Sequence, residues 1–174
     1  MGNLLSFEGR TRRRDWWLYN VVVGLIGYAI SQVIAPMALG DQGRVIVDPA
    51  SPFTPHYPMP LLMIMLGTAV VFLWPNLAIA ARRTHDRDKS ARLTLILFGI
   101  CSVLGWIGLF AMSGAVPALA GISGLPLMTM AVNMIVGLYL LVVLGFADGT
   151  PGPNRFGPSP KDAQPPSTPH ADYS

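Results

Sequence analysis

Long apolar runs alternate with short polar clusters along this chain. No Asp, Glu, Lys or Arg stands between Asp15 and Asp41 (25 residues), between Asp48 and Arg82 (33) or between Arg92 and Asp148 (55). A membrane-spanning helix needs about 20 apolar residues, each adding about 1.5 Å of rise. The first two runs therefore hold one span each, and the third holds two with a turn between them. The pattern predicts spans over residues 16–39, 61–81, 93–112 and 127–147. Gly114, Pro117, Gly121, Gly124 and Pro126 crowd the stretch between the last two. Such a density of helix breakers suits a turn, and its lack of charge leaves a re-entrant segment open as the alternative. A soluble helical core would need polar stripes facing water, and these runs have none. The expected fold is all-α: an integral membrane protein of four transmembrane helices arranged as two hairpins. Residues 1–160 form its single domain, with a short polar cap, and the polar, proline-rich residues 161–174 form a disordered tail.

Composition supports this reading. Of 174 residues, 52% are hydrophobic and 12% charged, against about 25% charged in a soluble domain, and the mean hydropathy is +0.48. Disorder for most of the chain, a basic nucleic-acid-binding domain and a disulfide scaffold are excluded, since Cys101 is the single cysteine. The positions of the charges matter more than their sum of +3. Arg10, Arg12, Arg13 and Arg14 precede the first span. Arg82, Arg83, Arg87, Lys89 and Arg92 lie between the second and third, and Arg155 and Lys161 follow the fourth. Four spans place these 11 of the 12 basic residues on one side, which the positive-inside bias makes cytoplasmic, with both termini. Placing the five of 82–92 at mid-bilayer would cost about 12 kcal/mol, at about 2.5 each.

A cleaved signal peptide is the competing reading of the start, with Ala38, Leu39 and Gly40 as its cleavage site. A signal core of about 7–15 residues is too short for this run, and Trp16 and Trp17 read as an interfacial anchor. Pro49, Pro52, Pro55, Pro58 and Pro60 give the outer loop an extended course, with a short β-like piece at 45–47.

Three polar stretches fall on the expected cytoplasmic side. The first runs Phe7-Glu8-Gly9-Arg10-Thr11-Arg12-Arg13-Arg14-Asp15-Trp16-Trp17, and the second Arg82-Arg83-Thr84-His85-Asp86-Arg87-Asp88-Lys89-Ser90. The third spans 149–160 and contains Asn154, Arg155, Phe156, Gly157 and Pro158. Together, in this order, they resemble the domain of unknown function 805 family of small bacterial inner-membrane proteins. That family shows Phe-x-Gly-Arg-x-x-Arg with an aromatic pair, Arg-Arg-x-His-Asp with a following Ser, and Gly-x-x-Gly-x-Asn-x-Phe-Gly-Pro-x-Pro. It usually has Leu where Thr84 stands, and Gly and Trp where this chain has Ala91 and Arg92. The resemblance covers about residues 5–160 and implies a bacterial inner-membrane location and a fold, without a reaction.

The candidate site comprises Gly9, Arg10, Arg13, Arg82, Arg83, His85, Asp86, Ser90, Asn154, Phe156, Gly157 and Pro158. Arg82 and Arg83 suit the negative end of the second helix. Asp86 partners one of the arginines, a pairing of modest worth if exposed. Asn154 suits a tight turn, and Phe156 can tuck against the helix ends. Such a cap staples helices, and its arginines also suit the phosphates of anionic lipids. The expected partners are anionic lipid headgroups, another membrane protein or a second copy of the chain, with no nucleic acid and no cofactor. The expected function is non-enzymatic. The alternative is a membrane enzyme or small transporter acting on an anionic lipid-linked substrate. For an enzyme, His85 and Asp86 lack the further ligands a metal site needs. For a transporter, the amides at membrane depth, Asn20, Gln32, Asn76 and Asn133, carry no charge and read as packing groups between helices. Asn76 is placed to satisfy the carbonyl freed by Pro75, Gly24, Gly27, Gly105 and Gly108 to allow close helix approach, and the nine methionines to fill apolar space.

Overall fold

A computed structural model describes residues 5–47, 49 and 55–160. Four helices are long and apolar enough to cross a membrane: Arg13–Gly43, Met59–His85, Arg92–Ser113 and Leu125–Phe146, the first to fourth spans. The first changes pitch along its length, from the α-helix Arg13–Ala29 through a π turn at Ile30–Ile34 to Ala35–Leu39 and a 3-10 turn at Gly40–Gly43. All four expected spans are present, each longer at one or both ends or displaced by a residue or two. The second differs most. It runs on past residue 81 to His85, so Arg82 and Arg83 occupy its last turn. Its 27 residues extend about 40 Å, beyond a hydrocarbon core of about 30 Å, which lets the basic end emerge while the helix continues.

The third span stops at Gly114, in the left-handed region at φ 69°, and the fourth starts after Gly124 at φ 79°. Between them Pro117–Ala120 makes a single helical turn, about 6 Å long and far too short to enter a bilayer deeply. The connection is a turn. The helix runs through Pro75 unbroken. In the outer loop Ile46 and His56 form an antiparallel bridge, the structural counterpart of the β-like piece. The expected disorder of residues 161–174 lies outside the described residues.

Sequence neighbours are spatial neighbours, and the end of the fourth span closes against the first. The third and fourth spans pack most closely. A Cβ on Gly108 would stand 2.4 Å from the Thr129 hydroxyl, so glycine is required at that crossing. Gly24 and Gly27 face open space instead, and their expected packing role is not realised. The buried core gathers Trp16, Ile79, Ala80, Leu140 and Leu144 toward one end of the bundle. Leu25, Val70, Val103, Met134 and Leu138 point outward. An apolar surface of that extent would aggregate in water and is the ordinary surface of a protein in lipid.

Candidate functional site

Helix geometry puts Asp86 at the centre of the basic end. The second span stops there, with the Asp86 N–H returning to the Arg82 carbonyl at 3.0 Å, and the chain reverses through Asp88 at φ 54°, a conformation Asp tolerates. One Asp86 carboxylate oxygen accepts from Arg10 at 3.0 Å and the other from Arg83 at 2.5 Å. The side chains of Arg10, Arg83 and Asp86 are 2%, 0% and 6% exposed. Sequence reasoning expected a single pairing for Asp86, of modest worth if exposed; the geometry is a buried triad. The reason is that Arg10 arrives from a segment 76 residues away and covers what a helix end alone would leave open.

The arginines also terminate another helix. The last carbonyls of a helix lack intrahelical donors and carry the negative end of its dipole. At the end of the fourth span, five consecutive carbonyls receive side-chain donors. Arg87 donates to Val143 at 3.2 Å, Arg83 Nε to Leu144 at 2.7 Å and the Trp17 indole to Gly145 at 2.9 Å. Arg13 donates to Phe146 at 3.2 Å, and the second terminal nitrogen of Arg83 to Ala147. Arg83 thus joins the second span, the fourth span and Asp86 through one planar fork, which a lysine cannot do.

The third motif folds back over the triad. The Asp86 carbonyl accepts the Thr150 N–H at 2.8 Å and its hydroxyl at 3.1 Å. A Cβ on Gly149 would lie 2.0 Å from the Asp86 carboxylate, so only glycine admits the chain there. Asn154 and Gly157 exchange backbone bonds at 3.0 Å, and the Asn154 amide donates to the His85 carbonyl at 3.0 Å. Phe156 stacks on the His85 ring with centroids 3.9 Å apart. Arg10 donates to the carbonyls of Thr150 (2.7 Å) and Gly152 (2.6 Å). The first motif is anchored by Thr11 N–H on the Arg82 carbonyl at 3.3 Å, and Phe7 meets the edge of Trp74 at 5.0 Å.

Arg10, Arg82, Arg83, His85, Asp86, Asn154, Phe156 and Gly157 are therefore brought together with Gly9, whose backbone hydrogen-bonds His85, and Arg13 joins at the rim through Asp148 at 3.2 Å. Ser90 and Pro158 are exposed, and Ser90 accepts only the Arg92 N–H, at 3.4 Å. Sequence reasoning missed Trp17 and Arg87 as donors and Gly149 and Thr150 as the lid over Asp86. Trp17 was legible as an amphipathic anchor, but which carbonyl its N–H meets is set by the fourth span. Thr84 is buried and shares a hydroxyl bond of 3.0 Å with Thr94.

A cavity of about 280 Å³ opens beside the triad. Arg10, Arg12, Arg13, Arg14 and Arg83 line it, against Asp86 and Asp148; five guanidinium groups against two carboxylates leave it strongly positive. Among the described residues Arg12 has no side-chain hydrogen-bond or ion-pair partner, and Arg14, 84% exposed, meets Asp15 at 3.7 Å. Among the described residues, no three of His, Cys, Asp and Glu converge as metal ligands.

Residues 4–158 match the family described as Protein of unknown function (DUF805). The chain is 26% identical over 159 residues to the Escherichia coli inner membrane protein YhaI, covering 91% of this chain and 89% of that protein. It is 23% identical over 162 residues to inner membrane protein YhaH of the same organism, covering 91% and 90%. It is likewise 23% identical over 161 residues to the uncharacterized protein YiiR, covering 92% and 90%. No solved structure matches the chain.

Proposed function

The chain belongs to the DUF805 family of proteins of unknown function, and from that premise we propose that it is a non-enzymatic protein of the bacterial inner membrane, with both termini cytoplasmic, whose motif face holds the phosphates of anionic lipid headgroups. The observation that carries this reading is the arginine-lined cavity of about 280 Å³. Arg10 and Arg83 form its rear wall, both paired with Asp86. Arg12 and Arg14 supply the guanidinium groups without strong partners among the described residues. Guanidinium presents paired donors that match phosphate oxygens. The location rests on the basic bias of the loops and on the relatives named inner membrane proteins.

The enzymatic alternative finds less support. Both carboxylate oxygens of Asp86 accept from arginines, and the His85 ring is stacked under Phe156, so neither group is presented to a substrate.

Native mass spectrometry of the full-length protein with phosphatidylglycerol or cardiolipin, and with phosphatidylcholine as control, tests the proposal. Two juxtamembrane arginines at about 1 kcal/mol each amount to roughly a 30-fold change in retention. Arg12→Ala with Arg14→Ala should lose anionic lipid to about that extent while melting like the wild type. Equal retention by the variant, or no preference over phosphatidylcholine, overturns the assignment. A retained protein partner or a dimer mass in place of lipid would reassign the face to protein contacts.

A further inference from the structure

We propose that the cleft between the spans contains a second site, for an uncharged hydroxyl compound, held by Asn20, Asn76 and Asn133. These amides come from the first, second and fourth spans, and all three line one cavity of about 370 Å³ together with Ser102 and Cys101 of the third. They are not the interhelical packing groups that sequence reasoning expects. Asn20 donates to the Trp16 carbonyl one turn back at 2.8 Å, and Asn133 to that of Thr129 at 2.9 Å. Ser102 likewise donates to Phe98 at 2.9 Å. A backbone carbonyl can pair only with the NH₂ of an amide, so these bonds use one N–H and leave the oxygen and the second N–H of each amide open. The oxygens of Asn20 and Asn133 have no partner among the described residues, and Asn76 makes no hydrogen bond, to the carbonyl freed by Pro75 or to any other described group. Gln32 stands apart, against Ser31 at 3.4 Å.

Unmatched amide groups in a hydrocarbon environment cost several kcal/mol each, and a hydroxyl, which both donates and accepts, suits the oxygens and N–H groups left open here. No Asp, Glu, Lys, Arg or His lines it. An ion entering would lose its hydration without a countercharge, which selects uncharged molecules. The space accepts several waters, at about 30 Å³ each, or one small polyol. Trp16 and Leu144, both buried, line it toward the motif end. In the other direction Asn76, Phe98 and Ser102 also line an apolar cavity of about 530 Å³ that reaches Leu119 in the turn between the third and fourth spans.

Cys101, the single cysteine of the chain, lines the cavity and serves as its probe. Methanethiosulfonates react with the thiolate, which forms where water reaches the sulfur. Full-length protein in phosphatidylcholine nanodiscs, treated with neutral methyl methanethiosulfonate, should label at Cys101 at least about tenfold faster than a Cys101→Ser, Leu138→Cys control, whose position is 59% exposed on the apolar surface. Asn76→Leu with Asn133→Leu should remove that advantage. Protection by molar glycerol identifies a polyol site, and unprotected fast labelling identifies water. Labelling no faster than the control overturns the proposal, and this comparison needs no asparagine variant to fold.

Discussion

Asp86 has two guanidinium partners and almost no solvent, and that arithmetic governs its substitution. Removing one member of a buried charged group leaves the others without countercharge, at a cost of about 3–5 kcal/mol. Asp86→Asn should lose stability of that order in detergent unfolding, since Arg10 and Arg83 would then share a neutral amide. Asp148→Asn removes only the exposed pair with Arg13, 77% and 52% accessible at the two side chains, and should change stability by less than about 1 kcal/mol. A similar loss from both variants would refute the buried triad. The residue types were legible from the chain: arginines, an aspartate and an asparagine in short motifs mark a polar cap. The pairing was not, because Arg10 lies 76 residues from Asp86 and Thr150 lies 64 from it, and no local periodicity relates such distances.

Helix ends and helix crossings decide the next level. Runs of hydropathy located all four spans within a few residues, yet placed the end of the second at the first arginine. Charge ends an apolar run without ending a helix, and cations at a helix C-terminus are favoured by the dipole. Crossings were less legible still. Four glycines suggested close approach, and of these Gly105 faces the Asn133 amide at 3.9 Å and Gly108 the Thr129 hydroxyl, too close for any added carbon. Gly108→Ala should therefore destabilise the bundle in a thermal melt by about 1–3 kcal/mol, the usual cost of overpacking. Thr129→Ala in the same chain removes the oxygen at 2.4 Å and should recover most of that loss. Additive damage from the two substitutions would place the crossing elsewhere.

Over the whole molecule, the three motifs meet on one face, as an even number of spans requires. If that face is cytoplasmic, a fluorescent protein fused after Ser174 should fluoresce and alkaline phosphatase fused there should be inactive. Alkaline phosphatase inserted near Gly121, in the turn between the third and fourth spans, should be active. The reverse pattern would invert the topology and move the arginine-lined cavity to the other leaflet. The amino-acid sequence by itself determined the fold class, the number and approximate limits of the spans and the sidedness of the basic residues, because hydropathy and charge act additively along a chain. Tertiary structure alone decided that Asp86 is buried between two arginines, that five carbonyls of the fourth span are closed by donors from elsewhere, and that three asparagines face one cavity. Those facts depend on which surfaces meet when the spans pack, and they join positions as far as 76 and 133 residues apart in the chain.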